Sequence, residues 1–143
     1  KMSKAIGTFT LKLTIPAGQA TAAPPIGPAL GQRGVKAIDF CKQFNEKTKP
    51  MIPSTPIAVR VFVKPDKTFT FQLKTPSTSY LLKKASGVEM LKTTEQVGVI
   101  SVKALYEVTK IKMSDPAFAG LTEQQVFTMV AGQAKVCGLK FVR

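Results

Sequence analysis

The chain has 143 residues, enough for one ordinary domain or two small ones. Its formal net charge of +13 and isoelectric point near 10.0 favour a polyanionic partner such as a nucleic acid. No run approaches the ~20 apolar residues that span a bilayer, so we expect no membrane partner. Histidine is absent and the two cysteines form no metal or redox motif, so we expect no metal, no cofactor and no catalytic residues.

The first predicted element is a strand over residues 8–15. Apolar residues alternate with Thr or Lys there, so that Phe9, Leu11, Leu13 and Ile15 share one face.

The next segment is rich in proline and glycine and runs from Ala23 to Val35. Proline suits the first turn of a helix, where its missing N–H would have no intrahelical partner. We therefore predict a short, stiff, exposed helix that begins near Ile26 and presents one fixed surface to a large partner. The alternative is a rigid turn between domains.

Helical spacing follows over residues 35–48. The predicted apolar stripe consists of Val35, Ile38, Cys41 and Phe44, with Ala37 and Phe40 beside it. Prolines at 50, 53 and 56 end this helix. Cys41, like Cys137 later in the chain, lies on an apolar helical spacing and is predicted to be a buried thiol.

Two further alternating runs, 57–63 and 69–73, flank a plausible turn at residues 65–67. They predict a hairpin that the first strand joins. The result would be a small sheet with the long helix packed on one face.

Beyond a turn-rich boundary at residues 75–79 the pattern becomes helical. A short helix is predicted over 79–86, a loop over 87–98, and a helix capped by Ser101 with an apolar stripe at 102, 105, 108 and 111. Thr122 opens a capping box for a last helix that ends at Gly138, and a brief strand follows over 139–142. The predicted fold is α+β: an N-terminal sheet domain with packed helices (1–74) and a C-terminal three-helix domain (75–143).

Several segments resemble one family, that of large-subunit ribosomal protein eleven of the GTPase-associated centre. The resemblance is collinear from about Phe9 to the end of the chain. Its most specific segments are PPIGPALGQRGV at 24–35, DFCKQFN at 39–45, FTF at 69–71, KTP at 74–76, LLKKASG at 81–87 and AGQAKVCG at 131–138.

The resemblance implies that the C-terminal domain grips a folded segment of large-subunit rRNA. The implied rRNA-binding residues are Lys83, Lys84, Gly87, Lys110, Gly132, Gln133 and Lys135. It also implies that the proline segment faces rRNA, GTPase translation factors and thiopeptide antibiotics. The implied factor- and antibiotic-facing residues are Pro24, Pro25, Gly27 and Pro28. Neighbouring stalk proteins and transient translation factors are the implied further partners, and no homo-oligomer is expected.

Charge alone would place the RNA-binding surface on the N-terminal half of the chain. Residues 1–74 carry twelve Lys or Arg and three Asp or Glu, a balance of +9, whereas residues 75–143 carry nine and five, a balance of +4. Charge supplies salt-dependent attraction, but folded RNA is also recognised by shape, through close backbone approach and contacts to 2′-hydroxyls. Gly132 and Gly138 suit such an approach.

Each binding residue has a simpler interpretation. Without the family, the Lys83–Lys84 pair would be a solvated face, and Gly132 would serve close helix packing. Within the family, the loop after Gly87 departs from the bacterial pattern, so contacts from Lys92, Thr93 and Thr94 are weakly supported. Two helix positions, 133 and 136, hold Gln and Val where small hydroxyl residues are common.

The predicted function is that of a structural, rRNA-binding constituent of the large ribosomal subunit that helps coordinate translation factors. The alternatives are a free RNA-binding regulator that uses the same basic surface and an unrecognised enzyme. No pair of carboxylates is placed for acid–base work, and the glycine-rich segment is neither a dinucleotide fingerprint nor a phosphate loop. Several stretches, among them 105–118, resemble mitochondrial relatives, which predicts a mitochondrial ribosome; a bacterial or chloroplast ribosome is the alternative.

Overall fold

The structure, a computed structural model, describes residues 7–89 and 94–143. The chain forms two compact units that divide between Lys74 and Thr75. The first unit is a three-stranded sheet with two helices, and the second consists of three α-helices with a small sheet. This architecture confirms the predicted α+β class.

The first unit contains an antiparallel sheet of β1 (Phe9–Pro16), β2 (Pro56–Val63) and β3 (Phe69–Leu73), in the order β1-β2-β3. Every second residue of the central strand β2 is buried, from Ile57 to Val63. The alternation seen in the sequence therefore does mark one core face and one outer face, as predicted.

The predicted hairpin turn is present between β2 and β3. Thr68 donates its backbone N–H and its hydroxyl to the Asp66 carboxylate, at 3.2 and 2.7 Å. These two hydrogen bonds stabilise the ionised form and lower the pKa of Asp66. Lys67 adopts a left-handed conformation with φ of 65°, which completes the turn.

Two helices, α1 (Ile26–Gly31) and α2 (Ala37–Thr48), cover the core face of this sheet. The Phe40 ring is fully buried and meets the rings of Phe69 and Phe71 edge-on, at centroid distances of 6.1 and 5.4 Å. The prediction for Ile38 was wrong, because this side chain is 61% exposed. The helix turns its Phe40, Cys41, Phe44 and Thr48 side toward the sheet instead.

The second unit packs α3 (Thr78–Ser86), α4 (Val102–Met113) and α5 (Glu123–Val136) around one core. A single turn of 3-10 helix spans Pro116–Phe118. Strand β4 (Gly98–Ser101) pairs in parallel with β5 (Leu139–Val142). The sequence predicted β5 but not β4, which is four residues long and shares only Gly98 with the predicted loop.

Side-chain caps define where the later helices begin, as the sequence predicted. The Ser101 hydroxyl accepts a hydrogen bond from the Ala104 N–H, and Thr122 and Gln125 form a reciprocal capping box.

The apolar stripe predicted on α4 was partly wrong. Its outer members, Val102 and Ile111, are 42% and 43% exposed. The buried side of α4 consists of Leu105, Val108, Thr109 and Lys112.

Candidate nucleic-acid interface

Helix α5 has an exposed, uncharged face. Its members, spaced three and four residues apart, are Met129, Gly132, Gln133 and Val136. Met129 is 53% exposed and Val136 is 56% exposed, which is high for apolar side chains on a helix that packs into a core. The core-facing side of the same helix carries Val126, Val130 and Ala134. We call the exposed set the α5 face.

Gly132 lies in the middle of the α5 face. A Cβ added at this position would meet no atom of any other part of the molecule within 4 Å. Close packing against a neighbouring helix therefore does not explain the glycine, and that interpretation of the sequence was wrong. The backbone at Gly132 is open to a large partner, and glycine in a helix interior costs about 1 kcal/mol relative to alanine.

The end of α3 gathers three of the residues predicted to bind rRNA. Lys83 and Lys84 are exposed in its last turn, and Gly87 ends the helix in a left-handed conformation with φ of 71°. All three line an open depression of about 370 Å³, together with Tyr80 and Glu89. The Gly87 N–H donates to the Lys83 carbonyl, so this glycine has a conformational role whatever it binds.

A second open depression, of about 510 Å³, is lined by Lys135 and by Thr94. Thr94 lies in the second half of the loop predicted over residues 87–98. Lys140 and Gly138 also line it, and Lys140 was not singled out in the sequence. Its signal there was only that of an exposed lysine within a strand. Lys92 and Thr93, the other two loop residues considered for rRNA contacts, lie outside the described residues.

Lys110 has protein partners of its own. Its ammonium lies 3.2 Å from the Glu107 carboxylate and 4.7 Å from the centre of the Tyr106 ring. Glu123 of α5, through its interaction with the Tyr106 hydroxyl, is the main cause that raises the pKa of Tyr106. Lys110 is therefore paired within α4, and only part of its charge is available to an RNA phosphate.

The proline segment of the first unit is anchored at two points and exposed elsewhere. Ile26 and Leu30 are buried in the core, whereas Pro24, Pro25 and Pro28 are all exposed. The helix begins at Ile26, as predicted, and the Pro24–Pro25 peptide bond is cis.

Gly27 is required by the packing of the same segment. A Cβ there would collide with the Ala22 carbonyl oxygen. Gly27 therefore allows the chain before α1 to pass close to the helix.

A buried polar network at the start of the second unit was missed in the sequence. The Lys112 ammonium, although its residue is only 6% exposed, donates to the Thr75 hydroxyl at 3.0 Å and to the Pro76 carbonyl. Thr75 in turn donates to the buried Asp115 carboxylate at 2.9 Å. The network holds residues 75–76 against the end of α4.

Neither a metal site nor a membrane segment is found in the described part of the chain. Residues 7–89 and 94–143 hold no group of three His, Cys, Asp or Glu side chains that could bind a metal ion. None of their helices is long and apolar enough to cross a bilayer. Both cysteines are buried and unpaired thiols, as predicted, and burial raises the pKa of Cys41.

Comparison with known families covers nearly the whole chain. Residues 11–69 match the model of the family "Ribosomal protein L11, N-terminal domain", and residues 74–141 match "Ribosomal protein L11, RNA binding domain". The chain belongs to the ribosomal protein L11 family. The match to the L11 RNA-binding domain covers the unit that contains the α5 face, and the resemblance seen in the sequence is confirmed.

Two curated relatives extend over most of the chain. A Schizosaccharomyces pombe protein called "Large ribosomal subunit protein uL11m" is 44% identical over 138 residues, which is 94% of this chain and 96% of the relative. A Drosophila melanogaster protein of the same name is 41% identical over 139 residues, or 95% of this chain and 71% of the relative. These names agree with the predicted mitochondrial form. L11 is a structural ribosomal family and not a class of enzymes.

Proposed function

We propose that this L11 protein is a component of the mitochondrial large ribosomal subunit that binds the rRNA of the GTPase-associated centre and presents its proline segment to translation factors. One observation carries the proposal. The L11 RNA-binding domain coincides with the second unit, and that unit exposes an uncharged helix face with an open glycine at its centre.

The chemistry of the second unit suits a folded RNA. A double-stranded RNA presents a wide, shallow minor groove lined by 2′-hydroxyls, which is read by shape and close contact. Gly132 lets the α5 backbone approach such a surface, and Met129 and Val136 provide van der Waals contact beside it. The lysines of α3 and Lys135 then supply attraction to phosphates.

The exposed surface of the first unit suits a protein partner or a ligand that inserts between this surface and rRNA. Its three exposed prolines form a stiff surface that two buried anchors, Ile26 and Leu30, hold in place. We infer that GTPase factors contact this surface transiently, that stalk proteins lie nearby, and that thiopeptide antibiotics bind between it and rRNA.

The proposed function is tested by a salt series. The full chain is titrated with the folded rRNA segment and with random RNA of equal length, over increasing salt. A preference that persists at high salt is expected, because shape recognition does not depend on counterion release. Equal loss of both affinities would describe a general polycation and contradict the proposal.

Lysines on the second unit should differ in their contributions. Replacing Lys83, Lys84 or Lys135 with Ala should weaken binding to the folded rRNA segment and reduce the salt slope by about 0.7–0.9 for each lost phosphate contact. Lys110→Ala should have a smaller effect, because Glu107 already compensates part of its charge. Lys42→Ala, at an exposed position of α2 in the first unit, is the matched control. Equal losses at Lys42 and at Lys83 would show that the wrong unit has been assigned.

Proline replacements should separate folding from factor response. Pro24→Ser and Pro28→Ser should leave the first unit folded, because both side chains are exposed. Their greater freedom in the unfolded chain should lower the free energy of unfolding by at most about 1 kcal/mol. Factor-stimulated GTP hydrolysis on reconstituted ribosomes should change, and thiopeptide binding to the protein–RNA complex should weaken, with rRNA affinity nearly constant. Unfolding of the first unit in either variant would mean that these prolines are structural.

A further inference from the structure

The first unit has a second surface that the proline segment does not use. Helices α1 and α2 pack on one face of its sheet, and we call the opposite face the outer sheet face. The strand register places Lys12, Arg60 and Gln72 in one row across the three strands. The adjacent row consists of Thr10, Phe62 and Thr70.

Among the described residues, the cations of the outer sheet face have no ion-pair partner. Lys12 and Arg60 are directly opposite each other on neighbouring strands, and like charges in this position destabilise a sheet. The three strands contain no Asp or Glu at all. Lys74 continues the ladder, since its N–H donates to the Ala58 carbonyl at 2.8 Å, and this places a third cation at the same end of the face.

Arg60 also has an unmet hydrogen bond. Its Nε atom is buried and finds no acceptor among the described residues. A buried polar donor is normally paired, and a charged one is the most costly to leave without a partner. The like-charge pair favours an anion bound at this row, beside the exposed Lys12, whereas the buried Nε atom itself is out of a ligand's reach.

An aromatic ring lies next to the cations. Phe62 is half-buried, and its direct cross-strand neighbours are the exposed Thr10 and Thr70. Neither direct cross-strand neighbour is bulky, which favours access of a flat ligand to the ring. Sheets that combine open aromatic rings with cations bind single-stranded nucleic acid, by stacking bases and neutralising phosphates.

We propose that the outer sheet face binds single-stranded RNA, with phosphates at Lys12 and Arg60 and a base against Phe62. An acidic peptide would compensate the cations but would leave the ring without a stacking partner. The proposal also gives a partner to Lys12 and Arg60, two of the twelve cations behind the +9 balance of residues 1–74. It goes beyond the proposed function, because that function needs only the second unit and the proline segment.

The test titrates the full chain with a fluorescent 12-nucleotide oligouridylate over a salt series. In the double variant Lys12→Gln/Arg60→Gln, affinity should fall about tenfold, and the salt slope should fall by about 1.4, or roughly 0.7 for each phosphate of a single strand. Phe62→Leu should lower affinity about fivefold with an unchanged slope, because stacking releases no counterions.

The matched control is Lys36→Gln/Lys42→Gln, which removes the same charge from exposed positions next to and within α2. Equal losses in the two double variants would overturn the proposal, as would tighter binding of oligoglutamate than of oligouridylate. If Arg60→Gln unfolds the unit, then Lys12→Gln and Phe62→Leu decide the question alone. Affinity for the folded rRNA segment should stay unchanged in all these variants, so a failure here is distinct from a failure of the proposed function.

Discussion

Replacing Gly132 with alanine should make the protein more stable and worse at binding rRNA. The added methyl group meets no neighbour within 4 Å, so alanine should raise the free energy of unfolding by about 1 kcal/mol through its better helix propensity. The same methyl group would stand between the α5 backbone and the RNA. We expect affinity for the folded rRNA segment to fall at least about tenfold, equivalent to 1.4 kcal/mol, and Gly132→Leu to lose about a further tenfold.

Opposite signs for stability and binding make this result informative. Most substitutions that weaken binding also destabilise the fold, and the measurement of both by denaturation and by titration separates the two effects. Gln124→Ala, at an exposed position of the same helix outside the α5 face, is the control and should change neither quantity much. Unchanged rRNA affinity in Gly132→Leu would remove the α5 face from the interface.

Replacing Lys112 with alanine should be among the most destabilising changes in the second unit. The ammonium is buried and hydrogen-bonded to Thr75 and Pro76, and Thr75 links it to the buried Asp115 carboxylate. Removing one charge of such a network leaves the other buried and uncompensated. The expected loss is about 3–5 kcal/mol in the free energy of unfolding, measured by urea denaturation.

A second lysine of the same helix, Lys110, provides a matched control for Lys112. Lys110→Ala removes an exposed lysine two residues away and should cost at most about 1 kcal/mol. The double variant Lys112→Met/Asp115→Asn should recover part of the loss, because no uncompensated charge then remains in the core. A loss below about 1 kcal/mol in Lys112→Ala would mean that water or other groups replace the network easily.

Local patterns were sufficient where an element's own residues determine its structure. Alternation predicted β1, β2 and β3, since a strand places successive side chains on opposite faces. Ser101 and Thr122 marked helix starts, because a cap is a contact between residues three apart in sequence. The boundary region at 75–79 likewise stood out by its turn-forming residues, and the two units divide between residues 74 and 75.

Other features depended on partners distant in sequence. Ile38 and Phe40 fit similar helical patterns, but only the sheet decides which of them is buried, and Phe40 is the one that meets the rings of β3. Strand β4 has four residues and forms only because β5, about forty residues later, pairs with it. The sequence alone would place Lys112 on the surface, and only its contact with Thr75, which is distant in sequence, explains its burial.

The chain's sequence by itself determined the α+β class, the L11 family, the basic charge and most element boundaries, because these rest on local periodicity, capping and motif residues. Tertiary structure alone decided which glycine is open and which is crowded. Gly132 has free space where a Cβ would be, whereas Gly27 is pressed against the Ala22 carbonyl. The difference is one of neighbouring atoms, which come from chain segments that no local pattern brings together.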